Sequence, residues 1–136
     1  MNKSPENIVS EMMTHDAFSK WLGIEVLEIS EGKSVLRMKI RDEMTNGFGI
    51  AHGGIIFSLA DSAVAFAANS YQIKSVTLEA TISWPKTSRS GDLLTAKAIN
   101  LSLGNKTAIF DVNINNQNDE IIGLFRATVY RTSKKW

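Results

Sequence analysis

The sequence predicts an α+β fold in which a curved, mainly antiparallel β-sheet wraps around one long central helix. Residues 54–70 are apolar almost throughout, with a period near 3.6 that is typical of a buried helix. Beyond this segment, apolar and polar residues alternate in successive runs, which is typical of strands with one buried face. The 136 residues contain no linker or repeat, so we expect one domain spanning 1–136.

The chain is predicted to open with a helical segment over residues 1–22. Ser4-Pro5 offers an N-cap followed by proline at the first helical position. Apolar residues follow at helical spacing: Ile8, Val9, Met12 and Met13. A second stretch of helix over 16–22 is expected to end at Gly23, because glycine commonly terminates helices.

Strands are predicted in six segments, most of them bounded by turn-forming residues: 24–29, 34–40, 76–84, 93–103, 107–114 and 120–131. Short connections between consecutive strands imply mainly antiparallel pairing. In the third segment one set of alternating apolar residues is expected on the buried face: Val76, Leu78, Ala80, Ile82 and Trp84.

The central helix has no broad polar face to offer to solvent. A sheet covers only one side of a helix, so the remaining apolar surface would stay exposed unless another subunit covered it. We therefore expect at least a homodimer. Asp61 is the exception within this segment, because a carboxylate in apolar surroundings needs a partner or a function.

Composition excludes several classes of function. A formal net charge of +1 gives no support for binding to nucleic acid or to a membrane surface. The absence of cysteine excludes a thiol nucleophile, disulfides and thiolate metal sites, and the two histidines form no metal-binding pattern. No segment of basic and then apolar residues precedes the domain, so the expected location is the cytoplasm. We expect no metal and no separate cofactor.

Three runs of sequence carry a family resemblance: Asn46–Gly54, Phe57–Asp61 and Phe66–Ser70. Together with shorter matches elsewhere, they resemble the hotdog-fold acyl-CoA thioesterases of the PaaI type, from phenylacetic acid degradation. The shorter matches are Leu22–Val26, Ser30–Gly32, Gly91-Asp92 and Leu124–Arg126. The resemblance implies hydrolysis of an acyl-CoA to free acid and coenzyme A, with an aryl-acetyl group such as phenylacetyl or hydroxyphenylacetyl. It also implies a dimer as the minimal active unit and a homotetramer built from two dimers.

Thioester hydrolysis requires a group that acts on water or on the carbonyl carbon, and donors for the developing oxyanion. The resemblance assigns Asp61 as nucleophile or general base, two roles that the sequence leaves open. Gly53, with Gly54 as a helper, would offer backbone N–H groups at a helix N-terminus. Eight residues of helix separate Gly53 from Asp61 by about 12 Å, so the acid at each site should come from a partner subunit.

Further candidates have structural as well as functional interpretations. Asn46 matches the family's amide near the reacting centre, although asparagine before glycine is also a common turn residue. His52 would order the loop or touch substrate. An acyl cavity would be lined by residues that serve equally well as core: Asn46, Phe48, Phe57, Met12, Met13 and Phe18. Basic loop residues are candidates for the phosphates of coenzyme A, or are simply solvated: Lys86, Arg89 and Lys106.

Two other functions fit the same scaffold. A noncatalytic acyl-CoA-binding or sensor protein would release no thiol and would not depend on Asp61. A hotdog enoyl-CoA hydratase would need an aspartate and a histidine on a shared loop, which is not evident here. Nucleotide-binding loops are excluded, because Gly47-Phe-Gly49 lacks both the phosphate-loop ending and the surrounding strand and helix pattern.

Overall fold

The structure is a computed structural model that describes residues 2–136. Within this range the chain forms three α-helices: α1 (Pro5–His15), α2 (Ala17–Leu22) and α3 (Gly53–Asn69). The same range forms six strands: β1 (Glu25–Ser30), β2 (Lys33–Lys39), β3 (Ile73–Ser83), β4 (Leu93–Leu103), β5 (Thr107–Asn115) and β6 (Ile121–Lys135). None of the helices described is both long and apolar enough to span a membrane.

All six strands join one antiparallel sheet in the order β1-β2-β4-β5-β6-β3. Helix α3 packs against this sheet and contacts every strand. The predicted α+β architecture, an antiparallel sheet on a long helix, is confirmed. β1 and β3 are the edge strands of the sheet.

Side-chain caps define both N-terminal helices. Ser4 caps α1 by accepting a hydrogen bond from the Asn7 backbone N–H at 3.1 Å. Asp16 caps α2 in the same way, with Oδ1 2.9 Å from the Ser19 backbone nitrogen. Gly23 ends α2 with φ of 75°, the left-handed conformation that glycine adopts without a steric cost. The predicted helical segment over residues 1–22 therefore consists of two short helices.

Helix α3 buries its small residues against the sheet. Half of its fully buried positions are alanine, which lets the helix approach the strands closely: Leu59, Ala60, Ala63, Val64, Phe66 and Ala67. The opposite side carries a narrow strip at steps of three or four residues, which is only partly covered: Gly54, Ser58, Asp61 and Ala65. The helix therefore does have a polar strip, and Asp61 lies on it.

Strand β3 departs from the predicted alternation. Val76 and Leu78 are 58% and 59% exposed, and Trp84 lies beyond the end of the strand with its side chain half exposed. The reason is a β-bulge between Thr77 and Glu79, which reverses the facing of the strand. Only Ala80 and Ile82, after the bulge, pack on the core as predicted.

The bulge turns Thr77 towards the helix. Thr77 pairs with the buried Val129 of β6, whereas Glu79 pairs with Thr128 on the outer face. Since paired residues share a face of the sheet, the Thr77 hydroxyl points inward.

Strand β6 runs four residues beyond the predicted end at 131. Its last residues pair with the start of β3, where Lys135 lies opposite Ile73. Trp136 then donates from its indole nitrogen to the Asn69 side-chain oxygen at 2.9 Å, at the C-terminal end of α3. Backbone pairing and this anchor hold the basic C-terminal segment on the sheet.

Candidate active site

The first candidate group is the N-terminus of α3. His52 is the N-cap, and its Nδ1 accepts a hydrogen bond from the Gly54 backbone N–H at 3.2 Å. Among the described residues, the Gly53 N–H has no acceptor, as expected at the first position of a helix. Gly53 therefore presents a free donor at the positive end of the helix dipole, while the N–H of Gly54 is already engaged.

Trp84 packs directly on Gly53. Its indole nitrogen donates to the Gly53 carbonyl at 3.2 Å, and a Cβ atom built on Gly53 would lie 3.1 Å from Cε2 of the indole ring. Glycine at position 53 thus permits the close approach of the tryptophan. Sequence reasoning missed this role, because it assigned Trp84 to the buried face of a regular strand.

Asn46 organises the loop that leads into α3. Its side-chain oxygen accepts from the backbone N–H groups of Phe48 at 2.9 Å and Ile50 at 3.4 Å. Asn46 therefore acts as a turn residue through its side-chain oxygen. Neither of these hydrogen bonds uses its side-chain nitrogen. Phe48 lies at the tip of this loop and is 87% exposed.

Asp61 lies on the side of α3 that faces away from the core, and it contacts β3. Thr77 donates from its hydroxyl to Asp61 Oδ1 at 3.3 Å. Burial raises the pKa of Asp61 above its ordinary value, the Thr77 hydrogen bond opposes this, and the negative charge of Asp16 adds to it. The carboxylate is a stronger base than a solvated one, and it remains in contact with an open cavity.

Two cavities adjoin the polar strip of α3. One, of about 160 Å³, contains Asp61 and is bounded on one side by α2. The other, of about 290 Å³, contains His52 and Gly54. Both are lined by Phe18 and Ser58, so together they form one groove along the helix, which we call the α2–α3 groove.

Phe18 is the member of the predicted acyl cavity that lines this groove. Phe57 instead packs edge-on against Phe125, with ring centroids 5.1 Å apart. Met13 lines a separate cavity between α1 and β1. Both side chains are partly buried and pack against the hydrophobic core.

The three basic candidates are not brought together in one protomer. Lys86 and Arg89 lie in the loop between β3 and β4, at the same end of the fold as Gly53, and Lys86 forms an ion pair with Glu120 at 2.7 Å. Lys106 lies in the β4–β5 hairpin, which is at the opposite end of the sheet. Residues 2–136 contain no group of three histidine, aspartate or glutamate side chains placed to hold a metal ion.

Within one chain, Gly53 and Asp61 lie about two turns apart on the same helix. Their side of α3 carries the donor at one end and the carboxylate about 12 Å further along. A single carbonyl group cannot contact both.

Comparison with known proteins gives a consistent family. Residues 48–122 match the model of the thioesterase superfamily. Acyl-coenzyme A thioesterase PaaI of Escherichia coli is 38% identical over 120 residues, which is 88% of this chain and 86% of that protein. The structure of E. coli PaaI, from the phenylacetic acid degradation operon, matches with a TM-score of 0.94 at 35% identity and covers 96% of this chain and 95% of that one.

A hypothetical thioesterase of Streptococcus pneumoniae, solved with coenzyme A, matches with a TM-score of 0.87 at 28% identity, covering 93% of this chain and 98% of that one. Two variants of that protein match with TM-scores of 0.79, again at 28% identity, over 82% of this chain and 91% and 92% of those chains. In one variant an aspartate is replaced by alanine, and in the other a threonine sixteen positions later. The chain studied here belongs to the thioesterase superfamily, and its fold and enzyme class are those of a hotdog thioester hydrolase.

Proposed function

We propose that this protein hydrolyses acyl-CoA thioesters to free acid and coenzyme A, and that aryl-acetyl esters such as phenylacetyl-CoA and hydroxyphenylacetyl-CoA are its substrates. The observation that carries the proposal is Asp61, a carboxylate bonded to Thr77 and lining a groove on an otherwise apolar helix. PaaI and the CoA-bound pneumococcal thioesterase support the acyl-CoA part. A thiol-release screen against aryl-acetyl, benzoyl, short aliphatic and long aliphatic CoA esters tests the proposal. Binding without thiol release would instead support the acyl-CoA sensor.

The Gly53 N–H would donate to the thioester carbonyl oxygen, where negative charge develops. If Asp61 is the nucleophile, its oxygen bonds to the carbonyl carbon, the C–S bond breaks, and water then hydrolyses the mixed anhydride. If Asp61 is a general base, it takes a proton from water as the water oxygen attacks. In both routes coenzyme A leaves as a thiolate and takes up a proton.

The partner subunit is proposed to bring Asp61 to Gly53. β3 is an edge strand with a free backbone edge, and it exposes Val76 and Leu78. Antiparallel pairing of two β3 strands about a two-fold axis would satisfy the free backbone groups of this edge and place the two α3 helices antiparallel. Each Asp61 could then face the Gly53 of the other chain, giving two sites per dimer. A tetramer would pair two such dimers.

Contacts to the phosphates of coenzyme A are proposed for the loop between β3 and β4. Arg89 is exposed in this loop, on the same side of the fold as Gly53. Lys86 must exchange Glu120 for a phosphate to take part. Lys106 is too far from Gly53 of its own chain, so any contact it makes would be to the substrate held by another subunit.

Thr77 is proposed to hold the Asp61 carboxylate in its reactive orientation. Sixteen residues separate the two, which is the spacing of the aspartate and threonine replaced in the pneumococcal variants. Replacing Thr77 by valine keeps the shape and removes the hydroxyl, so we expect kcat to fall by about 10- to 100-fold. Thr77→Ser, which retains the hydroxyl, should keep most of the activity. Equal losses in both variants would contradict an orienting hydrogen bond.

Phe18 is proposed to contact the acyl group in the α2–α3 groove. Its ring is 52% exposed and stacks on Trp21 with centroids 6.0 Å apart, so one face is open to a ligand. Phe18→Ala should raise KM for phenylacetyl-CoA by roughly 3- to 10-fold, the value of one aromatic contact. KM for acetyl-CoA, which has no ring, should change little. A uniform change for both esters would remove Phe18 from substrate selection.

A further inference from the structure

We infer that Asp16 is a positioning residue of this site, which fixes α2 against α3 and places a second negative charge beside Asp61. The inference deepens the proposed function and rests on it. Asp16 lies at the junction of α1 and α2, far from Asp61 in sequence. In the structure the two carboxylates line the same cavity of about 160 Å³.

A chain of hydrogen bonds runs from Asp16 to the helix that carries Asp61. Asp16 Oδ2 accepts from the Ser19 hydroxyl at 2.7 Å, in addition to capping α2 through Oδ1. The Ser19 hydroxyl lies 2.8 Å from that of Ser62, the residue next to Asp61. Ser19 is 1% exposed, so this chain is shielded from water.

The direction of the chain follows from the number of protons. A hydroxyl has one hydrogen, and that of Ser19 is donated to Asp16, so Ser62 must donate to Ser19. By accepting from Ser19, Asp16 therefore fixes the order of the donors: Ser62 donates to Ser19, and Ser19 donates to Asp16. α2 is held on α3 by this chain, one residue from the catalytic position.

The charge of Asp16 meets no cation in the cavity. Asp16 and Asp61 are the two charged residues among those that line it. Several charged residues of the adjoining elements make contacts elsewhere: Glu11 of α1 with Lys3, Lys20 of α2 with the Thr14 carbonyl, Glu79 of β3 with Thr128, and Lys74 of β3 with the Trp136 ring. His15, the last residue of α1, directly precedes Asp16 and does not line the cavity. From β3 itself, the neutral Thr77 hydroxyl faces Asp61.

The consequence is a more basic Asp61. Burial is the larger cause of its raised pKa, and the Asp16 carboxylate raises that pKa further by like-charge repulsion. A base of higher pKa accepts a proton from water more readily, provided that it stays ionised at the working pH. Asp16 thus adjusts the reactivity of Asp61 without contacting substrate.

The test is Asp16→Asn, because asparagine is as good an N-cap as aspartate and removes the charge. Its amide nitrogen replaces Oδ2 and would donate to the Ser19 hydroxyl instead of accepting from it. The carboxyl signal of Asp61, assigned by its loss in Asp61→Asn, is followed by ¹³C NMR over a pH titration. We expect its midpoint to move to lower pH in Asp16→Asn. The acid limb of the profile of kcat/KM against pH should also move to lower pH. On that limb, kcat/KM expressed as a fraction of its value at the pH optimum should be roughly threefold higher in Asp16→Asn than in the wild type.

Two further variants complete the test. Glu31→Gln removes a carboxylate near Tyr71, at the other end of α3, and should leave the Asp61 titration unchanged. Asp16→Ser keeps a capping hydroxyl and removes the charge, so it should reproduce the shift seen with asparagine. An Asp61 titration that is identical in the wild type and in both Asp16 variants would overturn the inference. The NMR titration needs no turnover, so absence of thiol release would count against the proposed function alone.

Discussion

Replacement of Asp61 by asparagine is expected to lower kcat by about a thousandfold or more. Asparagine has nearly the same shape as aspartate and can still accept the Thr77 hydrogen bond, but it can neither attack a carbonyl carbon effectively nor take a proton from water. The measurement is thiol release from the best substrate of the screen, at saturating concentration. KM should change less than kcat, because the lost interaction belongs to the transition state.

The matched control is Glu31→Gln, which removes a carboxylate of the same charge far from the groove and should keep wild-type turnover. Turnover by Asp61→Asn within tenfold of the wild type would exclude the proposed chemistry. The two roles of Asp61 can be separated in ¹⁸O water under single-turnover conditions. When water attacks the Asp61 carbonyl of the mixed anhydride, the first product carries an unlabelled Asp61 oxygen and the label stays on Asp61. A general base instead puts the label into the product and leaves Asp61 unlabelled. A first product without label therefore identifies a nucleophile.

The same variant should be more stable than the wild type at neutral pH. The folded-state pKa of Asp61 lies above its unfolded value, so the folded state disfavours the charged form. This penalty is present above the raised pKa and disappears below the unfolded value of about 3.9. The melting temperature of Asp61→Asn should therefore be a few degrees higher than that of the wild type at pH 7. At low pH the two melting temperatures should be equal, and thermal melts at both pH values measure this. A lower melting temperature at pH 7 would indicate that the loss of activity is a folding defect.

Much of the fold follows from local patterns in the sequence. The 3.6 period of the central helix and the capping residues Ser4 and Gly23 predict elements that the structure contains. The bulge in β3 could not be predicted, because apolar and polar residues keep alternating through Val76 and Leu78. The change lies in the register of the pairing between β3 and β6. Register is a property of two strands, and a single strand does not reveal it.

The candidate site was predictable to a similar extent. Asp61 stands out in the sequence because a charge in an apolar helix is costly to bury. Gly53 stands out because a pair of glycines at the start of a helix lets another group approach the backbone closely. The engagement of Gly54 by His52 depends on the rotamer of the cap, which the sequence does not specify. The sequence does not indicate Thr77, because its inward direction results from the bulge in β3. The sequence places Lys86 and Lys106 in turns, but it does not show that these turns lie at opposite ends of the sheet.

A mixed dimer should recover activity that neither of its parent variants has. Gly53→Pro removes the proposed oxyanion N–H, and proline is favoured at the first position of a helix. The preceding residue, His52, is already extended with ψ of 132°, the conformation that proline requires before it. Gly53→Pro and Asp61→Asn should each be nearly inactive as homodimers. If Asp61 of one chain serves Gly53 of the other, their heterodimer has one intact site of two and should show about half of wild-type activity.

The control for the proline is Gly53→Ala, which keeps the N–H and adds only a Cβ atom against the Trp84 ring. Its loss of activity measures the steric part of the substitution, and the further loss in Gly53→Pro measures the N–H. Differently tagged chains, coexpressed and purified through both tags, supply the heterodimer. Activity no higher than that of the parents would exclude a site made by Gly53 of one chain and Asp61 of the other. Since the two residues lie about 12 Å apart on one helix, that result would also remove Gly53 as the donor to the carbonyl that Asp61 attacks.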